Sequence, residues 1–201
     1  MIIQGRAVPI EGSDIDTDRM VPARFLKELT FERMGDYLFY DVRFEPNGEQ
    51  KAHPLNHPQF QGASIMVVGA NFGCGSSREH AAQAVKRAGF KAVVGISFSE
   101  IFSGNCQSIG VPVMTASPES LHAISRFIHD HPSASLVIDL QSMTLTYESG
   151  TTAISMPASR RDAFLSQSWD GLALLESNHA KTQALVDRLP YGPIQIRTTS
   201  S

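Results

Sequence analysis

The segment from Asn71 to Ala81 constrains the fold more than any other part of the chain. It reads Asn-Phe-Gly-Cys-Gly-Ser-Ser-Arg-Glu-His-Ala, and it lies between an apolar run over 64–70 and a helix-like pattern over 81–88. Short apolar runs are typical of buried strands, and glycine allows a tight turn to follow. The sequence therefore predicts a strand, a glycine-rich turn and a helix. The first N–H groups of such a helix lack intrahelical partners and can bind an anion.

The serines of this turn have two open interpretations. In the first, Ser76 and Glu79 form a capping box, in which each side chain satisfies a backbone N–H group at the helix start. In the second, the turn is a catalytic or substrate-binding site. Two other motifs fit poorly. A dinucleotide-binding fingerprint needs glycine where Arg78 stands, and neither serine has the flanking glycines of a hydrolase nucleophile elbow.

The residue types of the turn suit proton abstraction from a carboxylate-bearing substrate. A serine hydroxyl is a poor base unless its alkoxide is strongly stabilised. Backbone N–H groups at a helix start, the helix dipole and the guanidinium of Arg78 can supply that stabilisation in a dry site. Arg78 can alternatively form a bidentate pair with a substrate carboxylate.

Strand and helix patterns alternate along the rest of the chain. Strands are predicted over 5–10, 64–70, 92–96 and 112–115. Helices are predicted over 79–88, 98–109 and 118–129, the last with Ser117 as its N-cap. Antiparallel strands are predicted over 136–140, 144–147 and 151–156, and two more helices over 159–167 and 172–189.

These patterns predict an α/β fold, with one or more mixed sheets and flanking helices. We expect a single domain over 1–201, with its core over about 1–175 and a C-terminal helix and loose tail over about 172–201. The segment 47–60 is rich in Gly, Pro, His and Asn and is predicted to be a long loop.

Composition excludes several classes of function. The formal net charge is -3 and the chain has no basic stripe, so nucleic acid is not the expected partner. The apolar runs are too short to span a membrane, and the N-terminus has no secretory pattern. The two cysteines, Cys74 and Cys106, do not make a disulfide scaffold or a complete metal site, so we expect a cytoplasmic protein that binds no metal itself.

Three motifs together identify a resemblance to a known family. The first is Asn71–Ala81, and the second is Asp-Ile-Asp-Thr-Asp over 14–18 followed by Pro-Ala-Arg-Phe-Leu over 22–26. The third spans 97–112, and Asp-Gly-Leu over 170–172 is a weaker fourth. In this order they resemble the small subunits of isopropylmalate isomerase (3-isopropylmalate dehydratase), which are relatives of the aconitase swivel domain.

The resemblance implies a division of labour between two chains. The small subunit pairs with a large subunit that carries a 4Fe–4S cluster on its own cysteines. The cluster acts as a Lewis acid, and a serine of the small subunit removes a proton from the dicarboxylate substrate. Loss and return of water convert 2-isopropylmalate to 3-isopropylmalate in leucine biosynthesis. The chain alone is then expected to be inactive.

The resemblance also implies roles for residues of the motifs. Ser76 is the expected base, and the substrate-binding groups are Gly75, Ser77 and Arg78. Glu79 and His80 brace the turn, and Asp18 lies near the active site as a supporting or proton-relay group. Substrate choice is attributed to a recognition loop that contains Arg24, Phe25, Leu26 and Lys27.

Two alternatives to this function stay open. Lys27 is either a solvated side chain or a cation that meets the extra carboxylate of a homoaconitate-type substrate. The first alternative function is the small subunit of a related dehydratase that acts on homoaconitate, citramalate or dimethylmalate. The other alternative is an anion-binding module that keeps the fold without its chemistry.

Overall fold

The computed structural model describes residues 1–76, 78–148 and 150–169, together with Gln183 and Val186. Within these residues the strands are β1 (Ile2–Ile10), β2 (Ile65–Val68), β3 (Ala92–Gly95), β4 (Val113–Thr115), β5 (Ser135–Asp139), β6 (Thr144–Tyr147) and β7 (Gly150–Ala153). The α-helices are α1 (Thr17–Met20), α2 (Tyr40–Arg43), α3 (Glu79–Arg87), α4 (Glu100–Ser108), α5 (Pro118–Asp130) and α6 (Ala158–Leu165). Short 3-10 helices span Ala23–Lys27, Met34–Tyr37, Pro54–Asn56 and Pro58–Phe60.

Strand β1 is the centre of the sheet that the described strands form. The strand order is β4-β3-β2-β1-β5-β6-β7. The first half of β1 pairs antiparallel with β5, from Ile2 to Arg6, and the second half pairs parallel with β2, from Ala7 to Ile10. β2, β3 and β4 continue the parallel half, and β6 and β7 continue the antiparallel half. The predicted α/β fold with a mixed sheet is confirmed.

The parallel half of the sheet is buried on both faces. Every residue of β2 and of β3 is buried, as expected when helices cover both sides of parallel strands. Helix α3 packs through small side chains, since Ala81, Ala82 and Ala84 are fully buried. Because β1, β2 and β3 are parallel neighbours, the segments that follow their carboxyl ends meet at one edge of the sheet.

Side-chain caps fix the starts of two predicted helices. Ser117 Oγ accepts a hydrogen bond from the Ser120 N–H group at 3.2 Å, which confirms it as the cap of α5. Helix α4 begins two residues later than predicted, because Ser99 Oγ accepts from the Phe102 N–H group at 3.2 Å and caps the helix there.

The segment 47–60 differs from the predicted loop. It contains two 3-10 turns, each begun by a histidine whose Nδ1 accepts a backbone hydrogen bond. His53 accepts from the Leu55 N–H group at 3.1 Å, and His57 accepts from the Gln59 N–H group at 3.4 Å. A proline follows each histidine at the first helical position, where its fixed φ favours the turn. The two His-Pro pairs therefore form 3-10 turns in a segment whose composition predicted a loop.

The first of these histidines resists protonation in the folded protein. Burial, together with the nearby cations Arg43 and Arg19, lowers the pKa of His53 to about 4. In the unfolded chain an imidazole has a pKa of about 6.5. The unfolded state therefore binds more protons between these two values, and stability falls as the pH is lowered through that window.

A variant that keeps the turn and removes the titration tests this. In His53→Asn the amide oxygen can still accept the Leu55 N–H group, as asparagine does at helix starts. Between about pH 7 and about pH 4.5, thermal unfolding should show that the melting temperature of the wild type falls by several degrees more than that of the variant. His57→Asn is the matched control and should keep the wild-type pH dependence. Parallel curves for wild type and His53→Asn would contradict the assignment.

Two expectations concern the remainder of the chain. The predicted helix over 172–189 lies outside the described residues, apart from Gln183 and Val186, which are helical. The single domain over 1–201 and its tail therefore stay a prediction, while Met1–Trp169 forms one compact unit.

No helix in the described part of the chain has both the length and the apolar character that a membrane crossing requires.

Candidate active site

The acidic motif lies directly against the glycine-rich turn. The segment 14–18 follows β1, and the turn follows β2, so the pairing of the two strands brings both to one edge of the sheet. The Gly73 N–H group donates to the Ile15 carbonyl at 2.8 Å, and the Thr17 N–H group donates to the Cys74 carbonyl at 3.0 Å. Two motifs far apart in sequence thus form one backbone ladder.

The third motif supports the turn from the other side. The Phe72 N–H group donates to the Ser97 carbonyl at 3.1 Å, and the Ser99 N–H group donates to the Phe72 carbonyl at 3.0 Å. The Phe72 ring packs edge-on against Phe102 and Phe98, with centroid distances of 5.4 and 6.2 Å. The first three motifs of the family resemblance are therefore neighbours in the fold, and the fourth, over 170–172, lies outside the described residues.

Close packing explains one glycine of the turn. Gly73 has a φ of 76°, a conformation that side chains disfavour. A Cβ added there would lie 2.4 Å from Cγ of Phe102, so the aromatic support leaves no room for a larger residue.

The capping box is wrong as a description of the helix start. Helix α3 begins at Glu79, and its N-cap is Arg78, which has an extended backbone and makes no side-chain capping bond. Glu79 therefore occupies the first helical position, whereas a capping box needs it at the third. The backbone before the helix is held from elsewhere, because the Thr17 hydroxyl donates to the Ser76 carbonyl at 2.6 Å.

Ser76 is exposed, and its hydroxyl makes no hydrogen bond within the described part of the chain. The first N–H groups of α3 have no side-chain cap from Arg78. Such groups, with the dipole of the helix, favour a negative charge nearby. Within the described residues, the Ser76 hydroxyl is therefore unbonded and lies two residues before a helix N-cap that makes no side-chain capping bond.

Arg78 is oriented by Asp18. The guanidinium Nη1 donates to Asp18 Oδ1, and the Arg78 side chain is 23% exposed against 51% for Asp18. Asp18 therefore contacts the turn through Arg78, and its role in the reaction stays a prediction. Among the described residues, the other guanidinium nitrogens of Arg78 have no partner, so they are available to an anion. Ser77 lies outside the described residues.

The predicted recognition loop is a short, packed 3-10 helix. The Phe25 ring stacks on Tyr37 with centroids 4.0 Å apart, and the Arg24 guanidinium lies 4.6 Å from the Phe25 centroid. Arg24 also forms a two-pronged pair with Asp41, which lowers the pKa of the Asp41 carboxyl. Phe25 and Arg24 are therefore engaged with each other and with neighbouring residues. In the same segment Leu26 is half-buried and Lys27 is exposed.

His80 connects the helix start to the chain that follows the recognition loop. Its ring meets Phe31 edge-on, with centroids 5.2 Å apart. Glu79 instead accepts a hydrogen bond from Gln83 Nε2 at 3.0 Å, one helical turn further along α3. His80 therefore contacts a residue outside the turn and Glu79 contacts its own helix, so the bracing roles expected of them stay predictions.

Thr17 is the site residue that the sequence analysis did not single out. In the motif 14–18 the three aspartates are exposed and alternate with Ile15 and Thr17, which are buried. A hydroxyl at a position with the periodicity of core residues is a signal that it needs a buried partner. That signal was present in the sequence.

The cysteines do not fit a 4Fe–4S cluster held by this chain. Cys106 is fully buried in α4, and burial raises the pKa of its thiol, whereas cluster ligands are thiolates. Cys74 is half-buried in the turn. Within the described residues, no group of three or more His, Cys, Asp or Glu side chains is placed to hold a metal ion.

Comparison with known proteins gives the same assignment at three levels. A family model described as the aconitase C-terminal domain matches residues 1–118. A protein named 3-isopropylmalate dehydratase small subunit from Thermus thermophilus is 48% identical over 191 residues, covering 94% of each chain. One of the same name from Synechocystis is 41% identical over 189 residues, covering 94% of this chain and 93% of the relative.

A solved structure agrees with the sequence relatives. The crystal structure of 3-isopropylmalate dehydratase from Methanocaldococcus jannaschii superposes with a TM-score of 0.67 at 25% identity, covering 92% of this chain and 99% of that one. The extent and identity of these matches, together with the convergence of the motifs, lead to one conclusion. The chain belongs to the family of 3-isopropylmalate dehydratase small subunits, whose fold is that of the aconitase C-terminal domain.

Proposed function

We propose that this chain is the proton-abstracting subunit of a hydro-lyase that interconverts 2-isopropylmalate and 3-isopropylmalate through isopropylmaleate, as in leucine biosynthesis. The observation that carries the proposal is the exposed side chain of Ser76, three residues before α3 and two before Arg78, whose guanidinium Asp18 orients. Family membership supports the reaction class, because the relatives are named as dehydratase small subunits.

In this proposal Ser76 is the base. Its alkoxide removes the proton from the carbon next to the one that bears the hydroxyl. In the second half of the reaction it delivers a proton to the carbon that first bore the hydroxyl, while water adds to the other carbon. The free N–H groups and the dipole of α3 stabilise the alkoxide before it takes the proton. A general base of this kind contributes about 10²- to 10⁴-fold to the rate.

Arg78 holds a carboxylate of the substrate. The guanidinium presents a planar fork that matches a carboxylate, and Asp18 occupies only one side of it. Ser77 and the backbone of Gly75 complete the substrate-binding set in our proposal. Gly75 has a φ of 86°, so it lets the chain turn sharply and brings its backbone close to a bound anion.

The hydroxyl of the substrate needs a Lewis acid to leave, and within the described residues no group of three or more His, Cys, Asp or Glu side chains is placed to hold a metal ion. We propose that a large subunit carries a 4Fe–4S cluster, which when bound supplies a Lewis acid for that hydroxyl. The cysteines here do not fit such a cluster, so the small subunit alone is expected to be inactive. The two free cysteines favour the reducing cytoplasm as its location.

The recognition loop is proposed to select the substrate side chain. Leu26 offers half-buried apolar surface to an isopropyl group. Lys27 is exposed, which favours its interpretation as a solvated side chain. The names of the relatives favour isopropylmalate over homoaconitate, citramalate or dimethylmalate. The same names disfavour a non-catalytic anion-binding module, because they are those of subunits of an enzyme.

The experiment that tests the function is reconstitution. The chain is mixed anaerobically with its cluster-loaded large subunit, and dehydratase activity is compared on isopropylmalate, citramalate and homoaconitate. We expect turnover of isopropylmalate by the mixture and by neither subunit alone. Turnover of another substrate only would contradict the proposed specificity and keep the mechanism. A complex with an intact cluster and no turnover of any of the three would contradict the proposal itself.

A further inference from the structure

The Thr17 side chain is hydrogen-bonded to the backbone of Ser76. The Thr17 side chain is buried, with 2% of the residue exposed, and its hydroxyl donates to the Ser76 carbonyl at 2.6 Å. That distance is at the short end of the normal range for hydroxyl donors. We infer that Thr17 is a positioning residue, whose hydroxyl holds the Ser76 backbone so that the serine projects into the site. The inference rests on the proposed role of Ser76 as the base.

Thr17 makes two hydrogen bonds to the backbone of the turn. Besides the hydroxyl bond, the backbone N–H group of Thr17 donates to the carbonyl of Cys74 at 3.0 Å. The turn backbone also lies close to Thr17 between these points, because a Cβ added to Gly75 would be 3.8 Å from Thr17 Oγ1. The segment that carries Ser76 is thus fixed on both sides of Gly75 by the same residue.

Thr17 is itself held rigidly. It is the first residue of α1, and its carbonyl accepts the Val21 N–H group at 2.9 Å. The preceding Asp16 caps that helix, with Oδ1 accepting the Arg19 N–H group at 2.6 Å. A hydroxyl on such a fixed backbone can define the position of a partner, whereas one on a mobile loop cannot.

The first turn of α1 acts on both functional ends of the catalytic turn. Thr17 binds the backbone of Ser76, and its neighbour Asp18 binds the side chain of Arg78. The proposed base and the proposed carboxylate clamp are therefore set by consecutive residues of one element. This fixes the distance between the two groups, on which proton abstraction from a bound substrate depends.

Packing alone does not require a hydroxyl at this position. Ile15 is buried on the same face of the motif, and valine would fill the space of threonine with an equally apolar surface. A buried hydroxyl is favourable only when it is hydrogen-bonded, and here its bond goes to the carbonyl of Ser76. The specific gain from threonine is therefore the restraint on the turn.

The test is Thr17→Val in the reconstituted complex of both subunits, with isopropylmalate as substrate. Valine keeps the shape and removes the donor. Because misplacing a reacting group by about 1 Å can lower a rate by about 100-fold, we expect kcat to fall by about 10- to 100-fold. KM should stay within about twofold, since the positioned base acts in the transition state and not in substrate binding.

Two further variants separate positioning from a general loss of structure. Thr17→Ser restores the hydroxyl without the methyl group and should recover kcat to within about threefold of the wild type. Thr152→Val is the matched control. Thr152 lies in strand β7, and its hydroxyl donates to Ser120 Oγ at 2.7 Å, so the variant also removes a hydrogen-bonding hydroxyl. It should leave kcat and KM unchanged.

The outcomes distinguish this inference from the proposed function. If Ser76→Ala keeps its activity, the base is elsewhere and both ideas fail. If Ser76→Ala is inactive and Thr17→Val retains the wild-type kcat, only the positioning role is overturned. A Thr17→Ser variant as slow as Thr17→Val would also overturn it, since the methyl group and not the hydroxyl would then matter. Should Thr17→Val not assemble, Thr17→Ala against Thr17→Ser isolates the same hydroxyl.

Discussion

Ser76→Ala is expected to abolish turnover of isopropylmalate by the reconstituted enzyme while leaving the fold nearly unchanged. Loss of a general base lowers kcat by about 10²- to 10⁴-fold. Stability should change by less than about 0.5 kcal/mol, because the side chain is exposed and does not cap α3. Steady-state kinetics of the complex and thermal unfolding of the isolated chain measure the two effects separately.

The matched control for this prediction is Ser117→Ala. Ser117 is a true N-cap, since its Oγ accepts the Ser120 N–H group at 3.2 Å at the start of α5. Its removal should show the opposite pattern, a loss of about 1 kcal/mol in stability with full activity. If Ser76→Ala instead loses stability like Ser117→Ala and keeps its activity, the serine is structural and the assignment of the base is wrong.

Arg78→Lys is expected to impair substrate binding and catalysis together. Lysine keeps the charge but loses the planar fork that can hold a carboxylate while Asp18 occupies one side of it. Hydrogen bonds to charged groups contribute about 1.5–3 kcal/mol, which corresponds to a fall of about 10- to 100-fold in kcat/KM. KM for isopropylmalate should rise, in contrast to the effect of Thr17→Val on kcat alone.

Arg160→Lys is the comparison for this substitution. Arg160 has a side chain that is 15% exposed and pairs with the exposed carboxylate of Glu100, so its surroundings resemble those of Arg78. A lysine there should leave kcat/KM within about twofold of the wild type, since surface ion pairs contribute little. Equal losses for the two variants would mean that Arg78 acts through stability and not through the substrate.

The local features of the site were predictable from sequence because they depend on short-range patterns. An apolar run before Asn71 and a helical pattern after Ala81 define a strand, a turn and a helix without reference to the rest of the chain. The cap at Ser117 was predictable for the same reason. The order of the strands was not, because periodicity does not say that β1 lies between β2 and β5.

The predictions that were wrong concern positions where residues far apart in sequence, or the surrounding turns, decide the local structure. The capping box at Ser76 and Glu79 was a sound local pattern, but the Thr17 hydroxyl, 59 residues earlier in the chain, takes the Ser76 carbonyl and the helix starts later. His53 and His57 have donors and acceptors whose use depends on the surrounding turns, so composition described their segment as a loop. Short-range propensity is overridden wherever tertiary contacts offer a better partner.

The central place of β1 has a consequence for synthesis of the protein. β1 is synthesised before both of the strands that flank it, since β2 begins only at Ile65 and β5 only at Ser135. A nascent chain that has reached the end of β4 already contains both segments of the site, yet the half of β1 from Ile2 to Arg6 still has an unpaired edge. Open strand edges promote association between incomplete chains. Ribosome pausing before Ser135 would therefore expose this edge, whereas completion of β5 closes it.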